Sequence, residues 1–345
     1  MGGTSAERDV SLASGLRITQ ALRSRGHQVT PLDPATGVID AAAEARLLAE
    51  GMGAAPPSLE ALAGIGRTPF IPNLTSLPEI RDADALFLAL HGGHGEDGTI
   101  QALLDLTGVP YTGSGHLASA LAMDKDLSKQ LFRAAGVTTA DWMMAPPGDA
   151  PVDAGLAETR LGLPIVVKPS KQGSTVGLTV VKELDALADA VTLARQYDDE
   201  VMLESFVPGR EFTVTVIGDQ ALPVGEIIAA KEIYDYECKY TKGMAREEFP
   251  ANLSLSETLK VQGQALLAYR ALKLGGCARI DFRRTAEGEF YCLEANTLPG
   301  MTELSLVPQA AAAHGVTFPE LCERIVDLAV ATHGRATAAS GDGRW

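Results

Sequence analysis

The chain has 345 residues, of which 46% are hydrophobic and 21% charged, and its formal net charge at pH 7 is −15. This length suits roughly two domains, or three small ones, and the apolar content predicts folded cores rather than disorder. The negative charge repels a phosphate backbone and argues against nucleic acid as a partner. No apolar run reaches the roughly 18 residues of a membrane helix, so we expect no membrane association. The four cysteines have no C-x-x-C spacing and no secretory signal precedes them, which predicts a cytoplasmic chain with reduced thiols.

The first third of the chain alternates between helical and strand-like patterns. Ser5 is a suitable N-cap, with Glu7 and Asp9 in the first turn of a helix, where carboxylates suit the helix dipole. The alternation predicts an α/β domain with a mainly parallel sheet. The further elements expected here are a strand at 27–32, a helix at 40–51, a strand at 84–90 and a helix at 99–106.

The rest of the chain is richer in strands and is typical of an α+β arrangement. Two short helices are expected to meet near Asp124, and a polar tail at 334–345 is expected to fray. Further helices are expected at 183–196, 256–274 and 318–332. The expected strands are 164–168, 176–181, 201–204, 211–217, 221–228, 277–283 and 289–294.

A pair of acidic strands near the end of the chain gives the strongest local signal. Asp281 lies on one strand and Glu294 on the next, with a turn at Glu287-Gly288 between them. In an antiparallel pair the two carboxylates can face each other, and Asn296 lies on the same face as Glu294. Two carboxylates and an amide oxygen suit Mg²⁺, which commonly also takes phosphate oxygens.

Three loops have weaker signals when each is taken alone. The segment 168–177 carries a lysine, hydroxyls and glycines that suit phosphate oxygens, but it is not a P-loop and also fits a plain Gly/Ser hairpin. The segment 234–240 fits either a lid or an ordinary hairpin tip. The segment 91–98 follows a strand at the position where ligands bind in α/β sheets, but it is weak both as a phosphate site and as a metal site.

Taken together and in order, the motifs are highly specific. They are GGTSAERDVSLASG (2–15), LHGGHGEDGTIQ (90–101), PYTGSG (110–115), SALAMDK (119–125), VKPSKQGSTVG (167–177), GREFTV (209–214), YDYECKY (234–240), ARIDF (278–282) and EANTLPGMTELSLVP (294–308). This series resembles the ATP-grasp superfamily and, within it, the D-alanine–D-alanine ligase family. The resemblance covers nearly the whole chain.

The resemblance implies an ATP-grasp fold in which a parallel-sheet α/β domain is followed by two domains that clamp ATP. We expect these domains at 1–113, 114–204 and 205–333, with a flexible tail at 334–345. In the family an apolar strand normally precedes Gly2-Gly3, and the sequence has no counterpart of it. We therefore expect either apolar residues upstream of Met1 or another segment, from 33–80, in its place. The stretch 33–80 is otherwise expected to be a surface elaboration.

The resemblance also implies roles for individual residues. The residues expected to bind ATP are Lys125, Lys168 and Lys239 at the phosphates, Glu204, Phe206 and Val207 at the adenine, and Glu211 at the ribose. The expected metal ligands are Asp281, Glu294 and Asn296. The expected catalytic residues are Glu7 at the first substrate's ammonium, Ser174 and Tyr240 as its hydrogen-bonding partners, and Arg279 and Gly300 at the developing oxyanion. The expected substrate-binding residues are His91, Ser305 and Leu306, the last two at the carboxylate of the second substrate.

The implied activity is an ATP-dependent ligation of two D-alanines through an acyl phosphate, for peptidoglycan precursor synthesis in the cytoplasm. Mg²⁺, or Mn²⁺ in its place, is the implied cofactor, and a homodimer is the implied assembly. Two alternatives stay open: the same fold with D-lactate or D-serine as second substrate, and a non-catalytic nucleotide-binding protein. One further departure from the family is Ser174-Thr175 in place of paired serines, which keeps the hydroxyl.

Overall fold

A computed structural model describes residues 1–50, 62, 64–65, 69–173, 175–229 and 244–340. The helices are α1 (Arg8–Ser24), α2 (Ala41–Glu50), α3 (Pro78–Arg81), α4 (Thr99–Asp105), α5 (His116–Met123), α6 (Lys125–Ala134), α7 (Ala154–Leu161), α8 (Leu187–Ala194), α9 (Leu255–Ala271), α10 (Leu306–Ala313) and α11 (Phe318–Ser340). The strands are β1 (Leu32–Asp33), β2 (Gly37–Val38), β3 (Trp142–Met144), β4 (Ile165–Pro169), β5 (Thr179–Val181), β6 (Val201–Ser205), β7 (Arg210–Ile217), β8 (Gln220–Ala221), β9 (Gly225–Ala229), β10 (Ala245–Glu248), β11 (Cys277–Arg284) and β12 (Phe290–Asn296).

Two antiparallel sheets dominate the described structure. The first is four-stranded, in the order β3-β6-β4-β5, and the second is six-stranded, in the order β10-β9-β7-β11-β12 with β8 paired to β7. The chain passes from the first sheet to the second between Ser205 and Arg210. Most strands and helices expected from the sequence in this part of the chain are confirmed, with bounds shifted by a few residues. The expected strand 221–228 is instead divided into β8 and β9, each paired separately with β7.

Each sheet has its own apolar core. Helix α9 packs on the six-stranded sheet with α5 and α6, and Phe212, Ile280, Phe282 and Phe290 are fully buried there. Helix α8 packs on β4 and β5 of the four-stranded sheet through Leu187, Val191 and other small apolar side chains. Because alternate residues of a strand face opposite sides, these buried faces leave the other faces for a cleft between the sheets.

The predicted break between two short helices is confirmed at Asp124. Helix α5 ends at Met123, and the carboxylate of Asp124 accepts a hydrogen bond from the N–H of Leu127 at 3.0 Å, which caps α6. Lys125 is the first residue of α6, and its side chain is 8% exposed. The cap therefore fixes the direction in which the Lys125 side chain leaves the helix.

The N-terminal region differs from the expected parallel sheet. The segment 84–90 forms one parallel bridge, Leu86 with Tyr111, instead of a full strand, and of the expected strand 27–32 only Leu32 belongs to a strand, the short β1. Both segments line an open groove of about 690 Å³ that also contacts Met1. Since neighbouring strands must lie about 4.8 Å apart to pair, a groove between them prevents a ladder. No segment among the described residues fills this groove.

The C-terminal helix is longer than expected. Helix α11 continues to Ser340, past residue 334 at which the sequence indicated a flexible tail. It packs against α1 and α10, with Leu321, Cys322 and Ile325 in a shared core. None of the described helices is both long and apolar enough to span a membrane.

Candidate active site

A cleft between the two sheets has an apolar part and a charged part. The apolar walls include Val166, Leu178 and Val180 from the four-stranded sheet and its loop, and Leu293 from the six-stranded sheet. A flat aromatic base fits between such walls, because ring faces pack on aliphatic side chains. The charged residues that line the same cleft are Lys125, Lys168, Glu204, Glu211, Asp281, Arg283 and Glu294.

The hinge between the sheets also lines this cleft. Phe206 and Val207 follow β6 directly, and both line the cleft. The guanidinium carbon of Arg283 lies 5.1 Å from the centre of the Phe206 ring. Glu211, at the start of β7, lines the cleft as well. The structure thus brings together the four residues that the sequence analysis assigned to adenine and ribose, with Glu204 at the end of β6.

Glu204 lies between two lysines at the charged end. Its Oε2 accepts a hydrogen bond from Nζ of Lys168 at 2.6 Å, and its Oε1 accepts one from Nζ of Lys129. Burial alone raises the pKa of Glu204, but the charges of Lys129 and Lys168 outweigh burial and lower it to about 2. Glu204 is therefore an anion at neutral pH, compensated by both lysines.

Asp281 and Glu294 are direct neighbours across β11 and β12, as the sequence predicted. Asp281 accepts hydrogen bonds from Oγ1 of Thr213 at 2.7 Å, Nη2 of Arg279 at 2.8 Å and Nδ2 of Asn296 at 3.0 Å. Glu294 forms an ion pair with Nζ of Lys125 at 3.3 Å. The three predicted metal ligands thus share one face of the sheet with the cations that flank them.

The chemistry of these three side chains fits Mg²⁺. No group of three or more His, Cys, Asp and Glu side chains arranged for a metal occurs in the part of the chain that the structure describes. The predicted donor set of Asp281, Glu294 and Asn296 offers two carboxylates and one amide, all of them hard oxygen ligands. Mg²⁺ in proteins is commonly held by one or two carboxylates together with substrate phosphates. The cations Lys125 and Lys168 line the same cleft.

Glu7 connects the start of α1 to two glycine-rich loops. A Cβ at Gly92 would lie 2.9 Å from Oε2 of Glu7, and a Cβ at Gly173 would lie 3.6 Å from the same oxygen. Only glycine, which has no Cβ, lets the Glu7 carboxylate come this close to position 92, where φ is +66°. The carboxylate of Glu7 therefore lies between the loop that begins at His91 and the loop that follows Lys168.

His91 is buried, and protein groups occupy both of its ring nitrogens. Nδ1 donates to the carbonyl of Leu298 at 2.7 Å, and Nε2 accepts from Oγ of Ser14 at 3.2 Å. We assign these roles because the carbonyl can only accept and Ser14 Oγ in turn accepts the N–H of Met301 at 3.1 Å. Burial lowers the pKa of His91, which keeps the ring neutral. In the structure, the ring of His91 thus supports residues 298–301.

Glu96 and Arg17 also hold the loop 298–301, which contains Gly300. Glu96 accepts the N–H groups of Gly92 at 2.8 Å and Leu298 at 3.2 Å, and Nη1 of Arg17 donates to the carbonyl of Met301 at 3.1 Å. Burial, and then the charge of Glu7, raise the pKa of Glu96 to about 7. The loop is therefore fixed to the N-terminal region of the chain on both sides of Gly300.

Gly300 contacts Ser305 closely. A Cβ at Gly300 would lie 2.7 Å from Oγ of Ser305, which also accepts the N–H of Thr302 at 2.9 Å. Ser305 is the N-cap of α10, and Leu306 is its buried first residue. The N-terminus of a helix presents N–H groups and a positive dipole end to anions. These positions suit a carboxylate next to Gly300.

Three predicted site residues lie outside the described residues, and four residues that support the site were not predicted. Ser174, Lys239 and Tyr240 fall outside the described residues. Ser14, Arg17, Glu96 and Lys129 support the site but were not singled out from the sequence. Lys129 carried a detectable signal, since it follows Lys125 by one helical turn and must share its face of α6.

Two family models match the chain in sequence order. Residues 1–114 match "D-ala D-ala ligase N-terminus" and residues 131–327 match "D-ala D-ala ligase C-terminus". The chain belongs to the D-alanine–D-alanine ligase family. The resemblance found in the sequence motifs is thereby confirmed.

Relatives and solved structures of the D-alanine–D-alanine ligase family align with almost the whole chain. A D-alanine–D-alanine ligase of Anaeromyxobacter sp. is 42% identical over 94% of both chains, and one of Pelobacter propionicus is 43% identical over 96% of both. The crystal structure of the Bacillus anthracis ligase complexed with ATP is 29% identical, with a TM-score of 0.75 over 97% of both chains. The Coxiella burnetii ligase structure is 28% identical, with a TM-score of 0.77 over 98% of this chain and 96% of that one. The expected ATP-grasp fold is confirmed.

Proposed function

We propose that the protein is an ATP-dependent ligase that joins two D-alanines into D-alanyl-D-alanine, releasing ADP and phosphate. The observation that carries this proposal is the cleft itself. Its apolar walls suit a base, and its charged end combines Lys125 and Lys168 with the carboxylates of Asp281 and Glu294. Family membership and the relatives named D-alanine–D-alanine ligase support the choice of D-alanine.

The charged end of the cleft suits phosphoryl transfer. In such a transfer the charge is spread over phosphate oxygens, so catalysis depends on positioned cations. Lys125 and Lys168 would contact these oxygens, together with Lys239 from the segment 234–240, which would act as a lid. Mg²⁺ held by Asp281, Glu294 and Asn296 would supply further positive charge to the phosphates. The first D-alanine carboxylate would become an acyl phosphate, which is reactive enough to form an amide.

The next step needs an anchored first substrate and donors for an oxyanion. Glu7 would bind the ammonium of the first D-alanine, with Ser174 and Tyr240 as hydrogen-bonding partners. When the amine of the second D-alanine attacks the acyl carbon, negative charge develops on the acyl oxygen. Arg279 and the N–H of Gly300 would stabilise that charge, as preorganised donors do in other acyl-transfer sites.

The second D-alanine would bind through its carboxylate at the start of α10, near Ser305 and Leu306. His91 would act indirectly, because both of its ring nitrogens are engaged by protein groups. We propose that His91 positions the loop that carries Gly300 rather than touching substrate.

The cellular role follows from the reaction. A D-alanine dipeptide is a component of peptidoglycan precursors, and ATP is a cytoplasmic substrate, so we propose a cytoplasmic role in cell-wall synthesis. The described cysteines, Cys277, Cys292 and Cys322, are buried and free, which agrees with a reducing compartment. The domain bounds expected from the sequence, and a homodimer, complete the proposal. Light scattering of the purified protein tests the homodimer.

A substrate panel tests the activity. The protein is incubated with ATP, MgCl₂ and D-alanine alone or paired with D-lactate or D-serine, and products are detected by mass spectrometry together with ADP release. We expect D-alanyl-D-alanine and one ADP per dipeptide. A predominant depsipeptide or D-alanyl-D-serine from the mixtures would instead support the altered second substrate. ADP binding without turnover of any mixture would support a non-catalytic nucleotide-binding protein.

A further inference from the structure

A fully buried lysine behind the cleft has no role in the reaction described so far. Lys129 has no exposed side-chain area, and it is not among the residues that line the cleft. Its Nζ donates to Oε1 of Glu204 and to Oγ1 of Thr139, the latter at 2.7 Å. A lysine is costly to bury, and burial lowers the pKa of Lys129, while the charge of Glu204 opposes that shift and favours the ammonium form.

Lys129 is also fixed to both sheets that enclose the cleft. Thr139 Oγ1 donates onward to the carbonyl of Cys292 on β12 at 2.8 Å, while Glu204 belongs to β6 of the other sheet. The Trp142 ring on β3 lies beside the ammonium, with its centre 5.0 Å from Nζ. Lys129 therefore has a fixed position and cannot reach a nucleotide in the cleft.

Lys168 differs from Lys129 in this respect. Both lysines bind the carboxylate of Glu204, one at each oxygen, but Lys168 lines the cleft. Two lysines and one carboxylate leave one net positive charge. If Lys129 were absent, Lys168 and Glu204 would form a neutral pair, and moving Lys168 away would leave a buried carboxylate without a counter-ion.

We propose that Lys129 is a positioning residue of the nucleotide site, the permanent counter-ion of Glu204, and that it thereby leaves Lys168 able to contact nucleotide phosphates. This inference rests on the proposed function for the role of Lys168. It predicts that the contribution of Lys129 to nucleotide affinity depends on the negative charge of Glu204. A lysine that only stabilised the fold would not show that dependence.

A double-mutant cycle on nucleotide binding tests the inference. ADP dissociation constants are measured by calorimetry in MgCl₂ for the wild type, Lys129→Met, Glu204→Gln and the double variant. We expect Lys129→Met to weaken ADP binding by about tenfold or more in the wild-type background and by less than about twofold in the Glu204→Gln background. Lys260→Met is the matched control, because Lys260 has an exposed ion pair with Glu289 at 2.9 Å. We expect it to change ADP affinity by less than about twofold.

The possible results separate this inference from the proposed function. Unchanged ADP affinity in folded Lys129→Met, or equal weakening in both backgrounds, would overturn the inference. A wild type that does not bind ADP would contradict the proposed function instead. If Lys129→Met does not fold, as judged by circular dichroism and thermal melting, Lys129→Gln replaces it. If neither folds, the double variant is compared with Glu204→Gln alone, and about tenfold weaker ADP binding in the double variant would overturn the inference.

Discussion

Arg279 donates two N–H groups to the carboxylate of Asp281, two residues further along β11, with Nε 2.9 Å from Oδ1 and Nη2 2.8 Å from Oδ2. Residues two apart on a strand share a face, so the strand itself brings the two side chains together. This pairing connects the proposed metal ligand to the proposed oxyanion donor. A planar guanidinium held in this way has its remaining N–H groups in a fixed direction.

We expect Arg279→Lys to impair the chemical step more than nucleotide binding. Lysine keeps the charge, but a single ammonium cannot hold Asp281 through two N–H groups and also donate to an oxyanion. Removing such a donor typically costs about a hundredfold in kcat. Steady-state ADP release should show that loss with less than about a threefold change in the KM for ATP. Arg25→Lys, in an exposed ion pair with Glu323, is the control and should retain wild-type turnover.

We expect Glu294→Gln to lower turnover by at least about a hundredfold, even at saturating Mg²⁺. The substitution keeps the size of the side chain but removes one of the two carboxylates that face each other across β11 and β12. Glu289→Gln removes a charge from an exposed ion pair just before β12 and should have little effect. Near-normal ADP release by Glu294→Gln would show that Glu294 is not a metal ligand.

We expect Ser14→Ala to affect both stability and turnover. The Ser14 hydroxyl is fully buried, and its loss leaves the N–H of Met301 and Nε2 of His91 without their partner. Unpaired buried groups cost about 1–3 kcal/mol in the free energy of unfolding, measured by urea denaturation. Because Met301 follows Gly300, kcat should also fall, by about tenfold. Ser24→Ala is the control, since the Ser24 hydroxyl donates to the carbonyl of Ala21 in its own helix. Equal kcat in both variants would contradict a positioning role for Ser14.

The sequence predicted local pairings well, because the signals for them are local. Two strand-like segments joined by the turn at Glu287-Gly288 predicted a hairpin, and the structure pairs Asp281 with Glu294 as expected. The sequence also predicted two short helices that meet near Asp124, and in the structure Asp124 caps the second of them.

Contacts between distant segments could not be predicted in this way. Ser14 and Met301 are 287 positions apart, and Lys129 and Glu204 are 75 apart, so no periodicity links them. The sequence also predicted a parallel sheet in the N-terminal region, where the described residues form only one parallel bridge. The apolar segment 84–90 has the composition of a strand, but a strand needs a neighbour, and the groove beside this segment leaves it one bridge to Tyr111.

The buried carboxyl of Glu96 predicts a specific dependence of stability on pH. Its pKa in the folded state is about 7, above the 4.5 expected when unfolded, so between these values the folded state binds more protons. The contribution of Glu96 to the free energy of unfolding is therefore fully present below pH 4.5, and it falls by at most about 3 kcal/mol as the pH rises through 7. The amide of Glu96→Gln does not titrate, so it changes the free energy of unfolding by an amount that does not depend on pH. Urea unfolding of both proteins from pH 5 to 8 should show the stability advantage of the wild type shrinking as the pH rises. A difference between the two proteins that stays constant across this range would show that Glu96 does not titrate there.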